Sequence, residues 1–122
     1  MNEPVLGGMA QTALDRAGPL LRVGNTNCGG CGLSSLMQML RHATADQSVH
    51  LVIPACCAAV AAGVYPQSSY GVPTLLTTFA SAAAAAGGLA SVARMNGEDT
   101  RVICIAGDGG TYDIGFATLS AA

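Results

Sequence analysis

The chain has 122 residues, of which 51% are apolar, 4% aromatic and 10% charged, with a formal net charge of -2. That length suits one small domain with a real core. Charges so far below the usual quarter leave little polar surface for a free-standing monomer and point to cover by other polypeptide. With no basic patch and few stacking aromatics, nothing suggests a nucleic-acid partner. The first residues lack a basic start and a long apolar run, so no secretory signal is expected. The stretch Phe79 to Ala93 is too short and too rich in Ala and Gly to span a membrane. The expected setting is cytoplasmic. Five cysteines without an export signal then argue for reduced thiols, metal or redox chemistry rather than a disulfide framework.

In chain order, Met1 to Val23 is weakly patterned, with a short helix expected over Gln11 to Ala17, ended by Gly18-Pro19. Gly24 to Gly32 is a loop of Gly, Asn, Thr and Cys. Leu33 to Ala43 predicts a helix with Leu33, Leu36, Met37 and Leu40 on one face. A polar loop leads to a strand over Val49 to Ile53, stopped by Pro54. Ala55 to Gly63 is a short helix or an ordered loop around Cys56-Cys57, and Val64 to Val72 is loop. Pro73 to Val92 predicts one long Ala-rich buried helix, with a break possible at Gly87-Gly88, because Ala has the best helix propensity and no bulk. A turn at Asn96 to Asp99 precedes a β-branched apolar run, Arg101 to Ala106, that predicts a buried strand. After Gly107-Asp108-Gly109-Gly110, apolar residues return at helical spacing (Ile114, Ala117, Leu119, Ala121). The order α-β-α-β-α implies a parallel sheet with covering helices.

Two features carry chemistry. The first is Gly107-Asp108-Gly109-Gly110, a lone carboxylate where a strand passes into a loop before a helix. Open α/β sheets bind phosphates and their metal ions there. Glycines admit backbone amides to a phosphate, and Asp108 could coordinate a divalent ion. No Lys is near, so this is not a G-x-x-x-x-G-K phosphate loop, and a plain structural turn is the competing reading. The second is Cys28-Gly-Gly-Cys31, which places two thiolates on one side of a tight loop, as metals and clusters need. A thioredoxin-type pair is the rival, but Gly24-Asn-Thr-Asn27 makes a poor strand ahead of it. Cys56 and Cys57 offer at least one further thiolate. Cys104 reads as a small buried core residue. His42 and His50 read as packing or surface residues rather than ligands.

Taken in order, C-G-G-C-G, P-A-C-C, Y-P-Q-S-S-Y-G-V-P, an Ala-rich helix and G-D-G-G-T-Y-D-I-G-F-A-T-L-S resemble the β subunit of the 2-oxoacid:ferredoxin oxidoreductases, the family of pyruvate:ferredoxin oxidoreductase. The resemblance covers Asn25 to Ala122. It implies an α/β thiamine-diphosphate-binding fold, a parallel sheet flanked by helices, with residues 1–24 as an N-terminal extension and 25–122 as the N-terminal part of the binding domain. By resemblance, Asp108 binds the Mg2+ that bridges the diphosphate, and Gly107, Gly109 and Gly110 shape the loop. Cys28 and Cys31 hold a four-iron four-sulfur cluster together with a third cysteine before Tyr65-Pro66. Counting back from Tyr65 favours Cys57, and counting forward from Cys31 favours Cys56; Cys57 is the choice.

The resemblance also implies oxidative decarboxylation of a pyruvate-like 2-oxoacid. Electrons pass to ferredoxin or a similar acceptor, and coenzyme A takes the acyl group. The required partners are α- and γ-type subunits, because the family's catalytic glutamate comes from elsewhere and no residue here is catalytic in that sense. The family's fourth cysteine and an Asn-containing continuation of the thiamine motif find no counterpart, so a truncated chain, inactive as an isolated piece, is expected. Leu33 stands where relatives often have an acidic residue. Tyr65 to Val72 is a candidate pocket wall. Two other readings stay open. A non-redox thiamine enzyme of the acetolactate synthase kind would leave the cysteines unused. A zinc module on Cys28, Cys31 and Cys57 would leave Asp108 unused.

Overall fold

A computed structural model describes residues 18–63 and 68–122. The expected helix at Gln11 to Ala17 and most of the 1–24 extension lie outside the described residues. Five helices and three strands follow: α1 Gly32–Ala43, β1 Ser48–Pro54, α2 Cys57–Ala61, β2 Thr74–Thr77, a 3-10 turn Phe79–Ser81, α3 Ala82–Met95, β3 Thr100–Cys104, α4 Asp108–Tyr112 and α5 Phe116–Ser120. The strands form one parallel sheet in the order β2-β1-β3.

β1 lies in the middle, and its sequence S-V-H-L-V-I-P is built for that place. Leu51, Val52 and Ile53 are fully buried, because a central parallel strand is covered on both faces. Val49, Leu51 and Ile53 point to one face and join Leu20, Leu21, Met37, Ala58, Ala62 and Tyr70 in the main core. Each such aliphatic side chain contributes roughly 1.5–3 kcal/mol on burial. Val52 alternates to the other face, where α3 packs on β1 and β3. Ala82, Ala83 and Ala93 are buried in α3, small enough to let the helix approach closely.

α1 buries Met37 and Arg41, one turn apart, on its inner face. Among the described residues nothing accepts a hydrogen bond from Arg41 Nε or Nη2. Arg41 and His42 lie in its last turn, where positive charge complements the helix dipole. Leu20 to Arg22 is laced to Ser69–Gly71 by Arg22 N–H to Ser69 O at 2.7 Å and Gly71 N–H to Leu20 O at 2.9 Å. A side chain at Gly71 would run into the Pro19 carbonyl.

Three expectations need correction. Pro73 to Val92 is not one helix: Thr74–Thr77 is a strand, and the helix begins only at Ala82. Edge pairing with Leu51–Pro54 of β1 outweighs the helix propensity of the run. That helix is continuous through Gly87-Gly88, and only part of it is buried. Pro54 does not stop β1 but is its last residue, paired with Thr77. Cys104 is exposed, not a core residue, because β3 is an edge strand and Cys104 alternates away from Ile103 and Ile105, which pack on the core. Among the described residues no helix is long and apolar enough to cross a membrane.

Candidate thiamine diphosphate site

The site is assembled by strand register. Because the strands run parallel, their C-terminal ends lie side by side: Pro54 faces Thr77, and Val52 faces Cys104. Ile105 prolongs β3 by donating its N–H to Val52 O at 3.0 Å. Three chain segments therefore leave the sheet at one edge: Ala55-Cys56-Cys57 after β1, Phe79 after β2, and Ala106-Gly107-Asp108 after β3. The start of α1 closes the space above them. The result is a cavity of about 470 Å³ lined by Gly32, Leu33, Leu36, Ala55 to Ala58, Phe79 and Ile105 to Asp108. Crevices at the carboxyl ends of parallel strands are where α/β sheets bind ligands.

Asp108 is not in a loop, as the sequence suggests, but is the first residue of α4, with Gly107 as the extended residue before it. Its side chain is exposed, and among the described residues no group donates to its carboxylate. The glycines around it fit against walls. A Cβ on Gly107 would lie 3.4 Å from Cys56 Cβ, and one on Gly110 would lie 3.2 Å from Ala106 Cβ and 3.3 Å from Pro54 Cγ. Thr111 Oγ1 donates to Gly107 O at 2.8 Å, and Gly115 N–H donates to Gly109 O at 3.2 Å. At Gly115 any side chain would collide with the Gly110 carbonyl, so the chain can fold back there only as glycine.

The two vicinal cysteines differ. Cys56 is half-buried, and its Sγ points to Ile105 O at 3.8 Å. Cys57 opens α2 and is exposed. The Cys28–Cys31 turn is closed by Cys31 N–H to Cys28 O at 3.0 Å, with Gly30 at φ 76° in the third position of a type II turn, where positive φ favours glycine. Thr26 ties this loop to the end of α2, through N–H to Ala61 O at 3.3 Å and Oγ1 to Val60 O at 2.8 Å. Asn27 Nδ2 donates to Ser34 Oγ at 2.9 Å.

The structure thus brings Gly107, Asp108, Cys56 and Cys57 into one cavity, with Gly32, the residue after Cys31, on its rim. Cys28 and Cys31 do not line it. Among the described residues no three of His, Cys, Asp and Glu converge on a metal-sized point. Tyr65 to Gln67 lie outside the described residues, and Ser69 and Tyr70 serve the scaffold instead of the cavity. Ser69 Oγ donates to Ala61 O at 3.0 Å, and the Tyr70 hydroxyl donates to Ala58 O at 2.6 Å. Burial, and then the neighbouring Cys56, push the Tyr70 pKa up to about 12. Phe79 is the wall residue that sequence reasoning missed. Its only signal is the β-permissive Thr74-Leu-Leu-Thr77 ahead of it.

Residues 55–122 match the family of the thiamine pyrophosphate enzyme C-terminal TPP binding domain. The chain belongs to this thiamine pyrophosphate enzyme family. Thiamine pyrophosphate and thiamine diphosphate are one cofactor, and the matched segment begins at Ala55, where β1 delivers the chain to the cavity. The chain is 38% identical over 103 residues to ketoisovalerate oxidoreductase subunit VorB of Pyrococcus horikoshii, covering 80% of this chain and 33% of that protein. It is 35% identical over 107 residues to pyruvate synthase subunit PorB of Methanocaldococcus jannaschii, covering 81% and 36%. A third relative, pyruvate synthase subunit PorB of Methanothermobacter thermautotrophicus, is 33% identical over 103 residues, covering 84% and 35%. The chain spans about a third of the length of these curated relatives. The expected thiamine-binding α/β fold is thereby established.

The two implied metal groups fare differently against the residues present. Magnesium keeps several waters and takes one or two carboxylates plus phosphate oxygens. An exposed carboxylate with no competing donor, on a glycine turn at the cavity edge, fits that need. An iron–sulfur cluster needs converging thiolates, and the five thiols of this arrangement do not supply three at one point.

Proposed function

We propose that this chain forms the thiamine-diphosphate-binding part of an enzyme that oxidatively decarboxylates a 2-oxoacid, acting with further subunits and passing electrons to ferredoxin or a similar acceptor. The observation that carries it is the meeting of Gly107-Asp108 with Cys56-Cys57 in one cavity at the carboxyl ends of the strands. The names of the relatives, ketoisovalerate oxidoreductase and pyruvate synthase, support the 2-oxoacid class. Bound thiamine diphosphate supplies the electron sink for the pair left behind when carbon dioxide departs.

The chain's own residues bind, position and exclude water. Asp108 would offer oxygen ligands to a Mg2+ ion, the counter-charge a diphosphate needs where the cavity lining has no Lys or Arg. Gly107, Gly109 and Gly110 keep side chains out of the turn that presents it. Leu33, Leu36, Phe79 and Ile105 give the cavity apolar walls, which strengthen electrostatic contacts by excluding water. No lining residue is placed as an acid or base towards a substrate. Glu98 lies on another surface with Arg94 and Arg101, and in this reading proton transfer falls to a partner subunit. In the full reading Cys28, Cys31 and Cys57 would hold a four-iron four-sulfur cluster only if brought closer than they stand here, with Cys57 preferred because the Cys56 thiol is directed at Ile105 O. Coenzyme A is the acyl acceptor, and the setting is cytoplasmic.

A second reading is a thiamine enzyme without a cluster. It draws on the absence, among the described residues, of three convergent ligands. One preparation separates the two. The chain is co-expressed anaerobically with its neighbouring subunits, and thiamine diphosphate binding and iron content are measured with Mg2+ present. The oxidoreductase reading expects bound iron, visible absorbance that bleaches with a 2-oxoacid, and loss of that absorbance in Cys28→Ser. Thiamine diphosphate binding without iron selects the second reading. In Asp108→Ala, Mg2+-dependent thiamine diphosphate binding should weaken at least about tenfold, which is about 1.4 kcal/mol. Unchanged affinity would remove Asp108 from the site.

A further inference from the structure

The Asp108 carboxylate has no side-chain partner among the described residues, so its aim depends on how the turn beneath it is held. The holding is done from a distant part of the sequence. If Gly109 carried a Cβ, that atom would lie 3.4 Å from both Cδ1 and Cε1 of Phe79, so the bare backbone of Gly109 faces the edge of the Phe79 ring. The next residue, Gly110, lies near the Phe79 carbonyl, whose oxygen would be 3.7 Å from a Cβ on Gly110. Thr118 Oγ1, on α5, donates to Ala80 O at 2.8 Å. The 3-10 turn Phe79–Ser81 thus braces α4 through Phe79 and α5 through Ala80. Phe79 is also 44% exposed, and its open side lines the cavity beside Asp108.

We infer that Phe79 is a positioning residue for the metal-binding turn: its ring backs Gly109 and so fixes where Asp108 presents its carboxylate. This rests on the thiamine diphosphate and Mg2+ reading of the site. An aromatic ring suits the task because it is rigid and offers an edge that a glycine backbone can contact over its full width. Register supplies the link from sequence to site. Thr77 is locked to Pro54 at the end of β2, and Phe79 follows two residues later at the same sheet edge that delivers Asp108. With the ring gone, Gly109 loses this contact, while Pro54 and Ala106 still pack against Gly110. A turn free to shift still contains Asp108, but holds Mg2+ less well.

The test uses the chain assembled with its partner subunits and reads two quantities. One is the Mg2+ concentration giving half-maximal thiamine diphosphate binding. The other is the unfolding temperature without either ligand. Phe79→Ala should raise the Mg2+ requirement about tenfold or more, with saturating Mg2+ restoring thiamine diphosphate binding. Phe79→Leu, which keeps an apolar branched side chain against Gly109, should raise it by less than about threefold. A merely structural role would lower the unfolding temperature and leave the Mg2+ requirement where it was, and that result overturns the inference. Binding that saturating Mg2+ does not restore also overturns it, because Phe79 would then touch the cofactor itself. If Phe79→Ala fails to fold, Phe79→Val carries the same test, because its short side chain keeps an apolar group but withdraws from Gly109. An unchanged Mg2+ requirement there, in a folded protein, counts equally against it. Wild-type protein that binds no thiamine diphosphate at any Mg2+ concentration overturns the proposed function, and this inference with it. Binding wild type with an unaffected variant overturns this inference alone.

Discussion

Tyr70 connects the scaffold to the cavity through a single hydroxyl. It donates to Ala58 O at 2.6 Å, one residue beyond the Cys56-Cys57 pair that lines the site. Burial, with Cys56 adding to it, raises its pKa from 10.0 to about 12. The folded state therefore holds this proton more tightly than the unfolded chain does. The stabilisation is complete below about pH 10 and is lost as pH rises through about 12. Denaturant unfolding across that window should show stability falling more steeply in wild type than in Tyr70→Phe. The variant should also be about 1 kcal/mol less stable near neutral pH, because the Ala58 carbonyl loses its donor. Equal slopes in the two proteins would show that Tyr70 titrates alike folded and unfolded. The same residue scale separates the vicinal thiols. Cys56 and Cys57 are chemically identical in the sequence, and only the start of α2 decides that one turns to Ile105 O and the other to solvent.

At the scale of elements, α3 is stable in spite of its two glycines. Gly87 and Gly88 are exposed, sit inside the continuous helix Ala82–Met95, and would meet nothing within 4 Å if given a Cβ. Gly in a helix interior costs roughly 0.5–1 kcal/mol relative to Ala. Gly87→Ala and Gly88→Ala should each stabilise by about that amount, as read from chemical unfolding midpoints. Loss of stability in either would mean that another surface packs on this stretch. The same helix shows what the sequence reveals and what it hides. Its body is legible because Ala runs have one strong preference. Its start is not, because Pro73 suits the first turn of a helix and Thr74-Leu-Leu-Thr77 carries no clean alternation. Those four residues are a strand only because Leu51–Pro54 stand ready to pair with them, which is a tertiary fact. The site divides in the same way. Asp108 and its glycines announce themselves by residue type at the end of an apolar run. Phe79 has no local mark, because its place against Gly109 follows from the β2 register. Leu33 is legible as a helix-face residue but becomes a cavity wall only once α1 closes over the sheet.

At the scale of the whole molecule, the fold leaves much apolar surface uncovered. Tyr112 and Met95 are each 85% exposed, and Ile114, Phe116 and Leu119 stand open along α4 and α5. The sheet has two edge strands, with β2 showing Leu75 and Leu76 and β3 showing Cys104. Unpaired strand edges and clustered apolar groups favour association with other chains, and only 10% of residues carry charge to oppose it. Oxidation of the exposed thiols would add covalent links, so association has to be measured under reducing conditions. The isolated chain should then self-associate in sedimentation at micromolar concentration and bind a hydrophobic dye. Co-expressed partner subunits should suppress both effects, because a specific interface removes the same apolar surface from water that non-specific association would. Since hydrophobic association weakens on cooling, the self-associated fraction should fall at low temperature. A monodisperse, dye-free monomer under these conditions would mean that this apolar surface needs no partner to stay in solution.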